Sequence, residues 1–176
     1  DGIKNPKQLK ATFEALLAQG HEIAITSFTQ YPDIIKPTLK ALGLSDKQLS
    51  RITIVGGFPS NGPNDPVRKQ EHIEAAMKVH GITDPKNVML VDDDDKNINK
   101  ARSEGMTAIL VPKAHNPDPS YLKATVESGQ QIRSNAIAKS QAQDVKPKAT
   151  DKAEPKPNPE KKDEKKGEAK ETPKPK

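Results

Sequence analysis

Asn87-Val88-Met89-Leu90-Val91-Asp92-Asp93-Asp94-Asp95-Lys96-Asn97-Ile98 joins four apolar residues directly to four carboxylates. A short apolar run bounded by turn residues reads as a strand buried on both faces inside a parallel sheet. Ligands in open α/β sheets sit just beyond the carboxyl ends of such strands. The stretch therefore sets a carboxylate cluster where a sheet of this kind carries its chemistry. Clustered carboxylates repel until a cation or protons neutralise them, and hard oxygen donors suit Mg²⁺.

The segments on either side repeat one pattern. Upstream, a helix is expected from about Val67 to His80, with Ile73, Ala76 and Met77 on one face. A loop rich in Gly, Pro and Asn (Gly56 to Pro66) precedes it, and before that a strand from Arg51 to Val55. A helix from Pro32 to Leu42, closed by Gly43, contains Pro37, which either kinks it or marks a late start. The run from Glu22 to Phe28 reads as a short apolar strand ending in hydroxyls. At the front, Asn5-Pro6 reads as an N-cap followed by proline at the first helical position. Leu9, Phe13, Leu16 and Leu17 then recur at helical spacing until Gly20. Downstream come a helix from Lys96 to about Glu104 and a strand from Thr107 to Val111. A weakly amphipathic helix through Leu122, Val126 and Ile132 follows, from Asp118 to about Gln143. Strands alternating with helices at this spacing imply right-handed βα crossovers and a parallel sheet. The fold class is α/β.

The 176 residues suffice for one domain with a core, and the absence of cysteine excludes a disulfide frame or thiol chemistry. No apolar run approaches the roughly 20 residues of a membrane span. The chain opens at Asp1 without methionine, so its start gives no reading of targeting, and localisation in the bacterial cytoplasm or as a secreted effector stays open. The net charge of +5 divides unevenly. Residues 144–176 hold eleven Lys against eight acids, six Pro, and no aromatic, Leu or Ile. Such a segment cannot bury enough apolar surface to offset its ordering entropy, so disorder is expected there. The expected organisation is a core over 1–113, a helical extension over 114–143 and a disordered tail over 144–176.

Three features fall at strand ends or helix starts. Thr26 and Ser27 close one strand, where hydroxyl and backbone N–H groups can hold a phosphate oxygen. Lys69, in Arg68-Lys69-Gln70-Glu71-His72-Ile73, opens a helix and supplies positive charge. Asp92 and Asp93 close the anchor strand. From Leu9 to Val111 this order resembles the haloacid-dehalogenase (HAD)-like hydrolases, mostly Mg²⁺-dependent phosphatases. Their second motif, a strand ending in Thr or Ser, is matched by Ile23-Ala24-Ile25-Thr26. Their third, a Lys at a helix start, is matched by Lys69. Their fourth, a strand ending in Asp-Asp, is matched by Val88 to Asp93, with Asn97 following as in many members. The resemblance implies that Thr26 binds the transferred phosphoryl group and that Lys69 balances the charge of nucleophile and phosphate. It also implies that Asp92 and Asp93 hold Mg²⁺.

The first motif of that family, an Asp-x-Asp pair after a strand, supplies the nucleophile and the general acid/base. No Asp-x-Asp precedes Thr26 here. The absent strand would lie between those ending in Thr26 and Asp92, so a Rossmann-like sheet lacking its first, central strand is expected. The chain then reads as a fragment of a phosphatase, inactive by the family mechanism as it stands. The long tail is similar to those of HAD-type effectors of intracellular bacteria, whose secretion signals are C-terminal.

Blander readings stand beside these. Thr26 and Ser27 can cap a turn, Lys69 alone can be a solvated helix residue, and Asp94 and Asp95 suit a helix N-terminus. Asp93, Asp95, Asn97, Asn99 and Glu104 fit an EF-hand spacing, but Ile98 stands where that loop needs Gly and the lead-in is a strand. Receiver domains share an Asp, Thr and Lys site, in a different order. His72 reads as a packing residue, and His21, His80 and His115 lack metal-ligand spacing. The tail mixes its Lys with acids and has no aromatics, which argues against nucleic acid. The function expected is a Mg²⁺-dependent phosphomonoester hydrolase acting on a phosphorylated small molecule or phosphoprotein. The alternative is a non-catalytic HAD-like binding module with a contact or secretion tail.

Overall fold

The computed structural model describes residues 3–57, 68–114 and 118–144. Residues 145–176, and with them nearly all of the expected disordered tail, lie outside the described residues, as does most of the Gly56 to Pro66 loop. In chain order the elements are α1 (Pro6–Ala18), β1 (Ile23–Ser27), α2 (Ile35–Ala41), α3 (Asp46–Leu49), β2 (Ile52–Gly56), α4 (Arg68–Val79), β3 (Met89–Asp92), α5 (Asp95–Ser103), β4 (Thr107–Leu110) and α6 (Ser120–Asp144). Single 3-10 turns precede α2 and β3.

The chain is α/β with small parallel sheets. Among the described residues, β1 pairs with β2 and β3 pairs with β4, as two separate two-stranded parallel sheets. Ile23 lies opposite Ile52 and Thr26 opposite Val55 in the first. Met89 lies opposite Thr107 and Asp92 opposite Leu110 in the second. Each pair has its own core. Leu39, Leu44, Leu49 and Ile52 pack together beneath β1 and β2, joined by Phe13, Ile25 and Ile54. Ile73, Leu90, Ile98, Ala101, Met106 and Ala108 form the other, around β3 and β4. Ile52 and Ile98 are the best-buried large side chains, at 1% exposure each. Truncating either to alanine should cost about 2–5 kcal/mol.

Local chemistry explains the boundaries. Pro37 is the third residue of α2, where its missing N–H is one of the unpaired first-turn donors, so the helix starts late rather than kinking. The short α3 was not foreseen. It is nucleated by a capping box in which Ser45 Oγ accepts from the Gln48 N–H while Gln48 Oε1 accepts from the Ser45 N–H. Asn5 precedes α1 as expected but in left-handed backbone (φ 49°) and without a side-chain capping bond to the helix. Pro6 alone supplies the start signal read from the sequence. Asp94, by contrast, is a side-chain cap, accepting from the Lys96 N–H at 2.8 Å. Arg51 ties the start of β2 to the end of α1: its guanidinium donates to the carbonyls of Leu17 and His21 at 2.8 and 2.9 Å.

Candidate phosphate site

The carboxyl ends of β1 and β3 face one another across a single ammonium. The first turn of α4 aims Lys69 between them. Its Nζ donates to the Thr26 carbonyl at 3.1 Å and to Thr26 Oγ1 at 3.4 Å. The same Nζ lies 3.3 Å from Asp92 Oδ2, with both side chains near one-tenth exposed. One ammonium thus serves both strand ends, by hydrogen bonds to Thr26 and an ion pair with Asp92. A pair so removed from water is held by its extra hydrogen bonds as much as by its Coulomb energy. Asp92 Oδ1 has such bonds, accepting from the Asp94 N–H at 2.8 Å and from Asn97 Nδ2 at 3.0 Å. Asn97 reaches back from the first turn of α5, five residues on, and fixes the carboxylate that Lys69 meets.

Two residues that the sequence reading left outside the site complete the setting of Lys69. Its Nζ sits 4.8 Å from the centroid of the Phe28 ring, an attractive position for a cation. His72, one turn further along α4, lays its own ring on Phe28 at 4.9 Å. Burial, and then the Lys69 charge, push the pKa of His72 down. Thus His72 packs beside the cation in a setting that disfavours its charged form. The spacing of Lys69 and His72, three apart on one helix face, was the available signal.

Thr26, Phe28, Lys69 and Asp92 border an open cleft of about 760 Å³, whose wall also includes Lys4, Ser27, Asp93 and Lys113. Ser27 Oγ accepts from the Thr29 N–H at 3.2 Å, a local turn contact, while the residue still faces the cleft. Asp93 is exposed at the rim. The arrangement thus brings Thr26, Lys69, Asp92 and Asn97 into direct contact and leaves Ser27 and Asp93 lining the space beside them. Asp95 and Asn99 of the rejected calcium loop lie along α5 and Glu104 caps its end, where Lys100 engages it at 2.8 Å. Among the described residues no group of three or more His, Cys, Asp or Glu is placed to hold a metal.

Hydroxyl, ammonium and paired carboxylates thus stand together at the carboxyl ends of parallel strands, where open α/β sheets place their ligands. The chain belongs to the acid phosphatase family, whose model matches residues 3–126 and so spans every residue of this site. Neither a curated protein nor a solved structure matches it. No helix among the described residues is long and apolar enough to cross a membrane.

Proposed function

We propose that the domain is a HAD-like, Mg²⁺-dependent phosphomonoester hydrolase, with the nucleophilic aspartate supplied by a segment outside this sequence. The observation that carries the reading is the Lys69 ammonium shared between Thr26 and Asp92 at the mouth of the cleft, in a chain of the acid phosphatase family. In this reading Thr26 and Ser27 offer hydroxyls to the phosphoryl oxygens. Lys69 stabilises the negative charge spread over those oxygens in the transition state. Phe28 and His72 keep the ammonium in place, and Asn97 keeps Asp92 turned toward it.

The donor set suits magnesium rather than zinc. Mg²⁺ is held by one or two carboxylates and completes its shell with water and substrate phosphate, and Asp92 with Asp93 offers two carboxylates at the cleft. When bound there it would add positive charge beside the phosphoryl group. Lys69 and the metal would then share Asp92, so the ion pair seen here would loosen as the ion binds.

The test is hydrolysis of a chromogenic phosphomonoester by the protein expressed from its native gene. Turnover should require Mg²⁺, stop with EDTA, and fall by about 100-fold or more in Lys69→Ala. Turnover indifferent to both would contradict the reading. Retention of phosphate binding without any turnover would favour the alternative, a HAD-like binding module. The substrate is a phosphate ester by this account, small molecule or phosphoprotein.

A further inference from the structure

Two of the three lysines that line the cleft have no part in the reading above. Lys69 is held between Thr26 and Asp92. Lys4 and Lys113 are exposed, and among the described residues no carboxylate forms an ion pair with either, although Asp93 shares the cleft wall with them. Local chain chemistry fixes where both stand. β4 ends on Leu110, opposite Asp92, and the Val111 N–H still donates to the Asp92 carbonyl at 2.8 Å. Pro112 then locks its own φ and favours an extended Val111, so Lys113 leaves the ladder on a stiff continuation of β4. Paired strands run about 4.8 Å apart, which brings Lys113 beside the end of β3 that carries Asp92 and Asp93. Lys4 precedes Asn5, whose left-handed backbone (φ 49°) turns the chain into α1 and leaves Lys4 against the cleft.

In the phosphatase reading Asp92 and Asp93 face Mg²⁺ and Lys69 faces the phosphoryl group, which leaves Lys4 and Lys113 as surplus positive charge at one opening. Such an excess draws anions and holds them there. We propose that the substrate is a small phosphate ester bearing a second anionic group, a carboxylate or another phosphate, a short carbon chain from the first. Lys113, with Lys4, binds that second group. Lysine is a compact charge with three rotatable donors, and it accepts either anion without demanding a planar fork. The inference rests on the phosphatase reading of the same cleft and narrows its substrate class.

The experiment compares matched esters on the protein expressed from its native gene. They are phosphorylated hydroxy acids of about two to four carbons, a reach comparable to one strand spacing, their carboxamides, and the bisphosphates of the matching diols. Acid and amide differ in charge at one end and little in size. The acids or the bisphosphates should have a KM at least about tenfold below that of the amides. Their kcat should be alike, because a charge held away from the ester is bound equally in ground and transition states. A gain with only one of the two charged groups identifies which anion the subsite takes. Lys113→Ser should bring the KM ratio towards one and Lys4→Ser should lower it, whereas Lys113→Arg, which keeps the charge, should retain most of it. Equal KM for acids, bisphosphates and amides, or a ratio that neither serine variant moves, would overturn the proposal and leave the phosphatase reading in place. So would hydrolysis of the chromogenic ester but of none of these. A protein that hydrolyses no ester at all would remove both readings.

Discussion

Lys69 is the residue on which the two halves of the site depend, since its ammonium touches both Thr26 and Asp92. Removing one partner of a buried ion pair leaves the other charge uncompensated. Lys69→Met should therefore cost about 3 kcal/mol of stability in urea denaturation, and Asp92→Asn a comparable amount. The double variant should cost clearly less than their sum, with a coupling of about 1–3 kcal/mol. Strict additivity would show that the pair does not interact. A second prediction concerns histidine. Burial, followed by the charge of Lys69, holds His72 below its ordinary value of 6.5, and burial does the same to His21. Just below pH 6.5 the unfolded chain binds more protons than the folded one, so stability is complete above that pH and is lost as pH falls. The urea midpoint should drop between pH 7.5 and 5.5, and His72→Phe should flatten that slope; an unchanged wild-type midpoint would contradict the assignment. Thr26, Lys69 and Asp92 were legible as site candidates because each sits at the end or start of an element readable from its apolar pattern. Phe28 was not, and His72 was legible as a packing residue but not as a neighbour of the site. Their role lies in ring geometry across two elements, and nothing in a linear pattern reports which ring meets which.

At the scale of elements, reading succeeded where hydrophobic period and helix stops coincide. The strands ending at Ser27 and Asp92 and the helices α1 and α4 fall within a residue or two of expectation. Gly20 and Gly43, both at positive φ (84° and 102°), end their helices as expected. It failed where one short side-chain contact decides. The Ser45–Gln48 box makes α3 from a stretch with too little length for an apolar period, although the Ser-x-x-Gln spacing itself was there to read. Arg51 was read only as the first residue of a strand. Its guanidinium instead satisfies the Leu17 and His21 carbonyls at the end of α1 and pairs with Glu22 at 3.5 Å. Arg51→Met keeps the aliphatic stem and removes these bonds, so it should lower stability by about 2 kcal/mol. Equilibrium urea unfolding checks this, and a change within ±0.5 kcal/mol, ordinary for a surface substitution, would contradict it.

For the whole molecule, the α/β class followed from alternation alone, but the division of the core did not. Apolar composition says how much surface can be buried and not how many clusters it forms. Here Ile52 and Ile98 centre separate clusters, and the Lys69 bridge joins their strands at the end where the site lies. The central claim is that this bridge is a phosphate and metal site. The most direct test is an NMR titration of the ¹⁵N-labelled chain with inorganic phosphate, with and without Mg²⁺. Saturable shifts should centre on Thr26, Ser27, Lys69, Asp92 and Asp93, strengthen with Mg²⁺, and vanish in Lys69→Ala. Shifts that centre elsewhere, or that survive Lys69→Ala unchanged, would contradict the account.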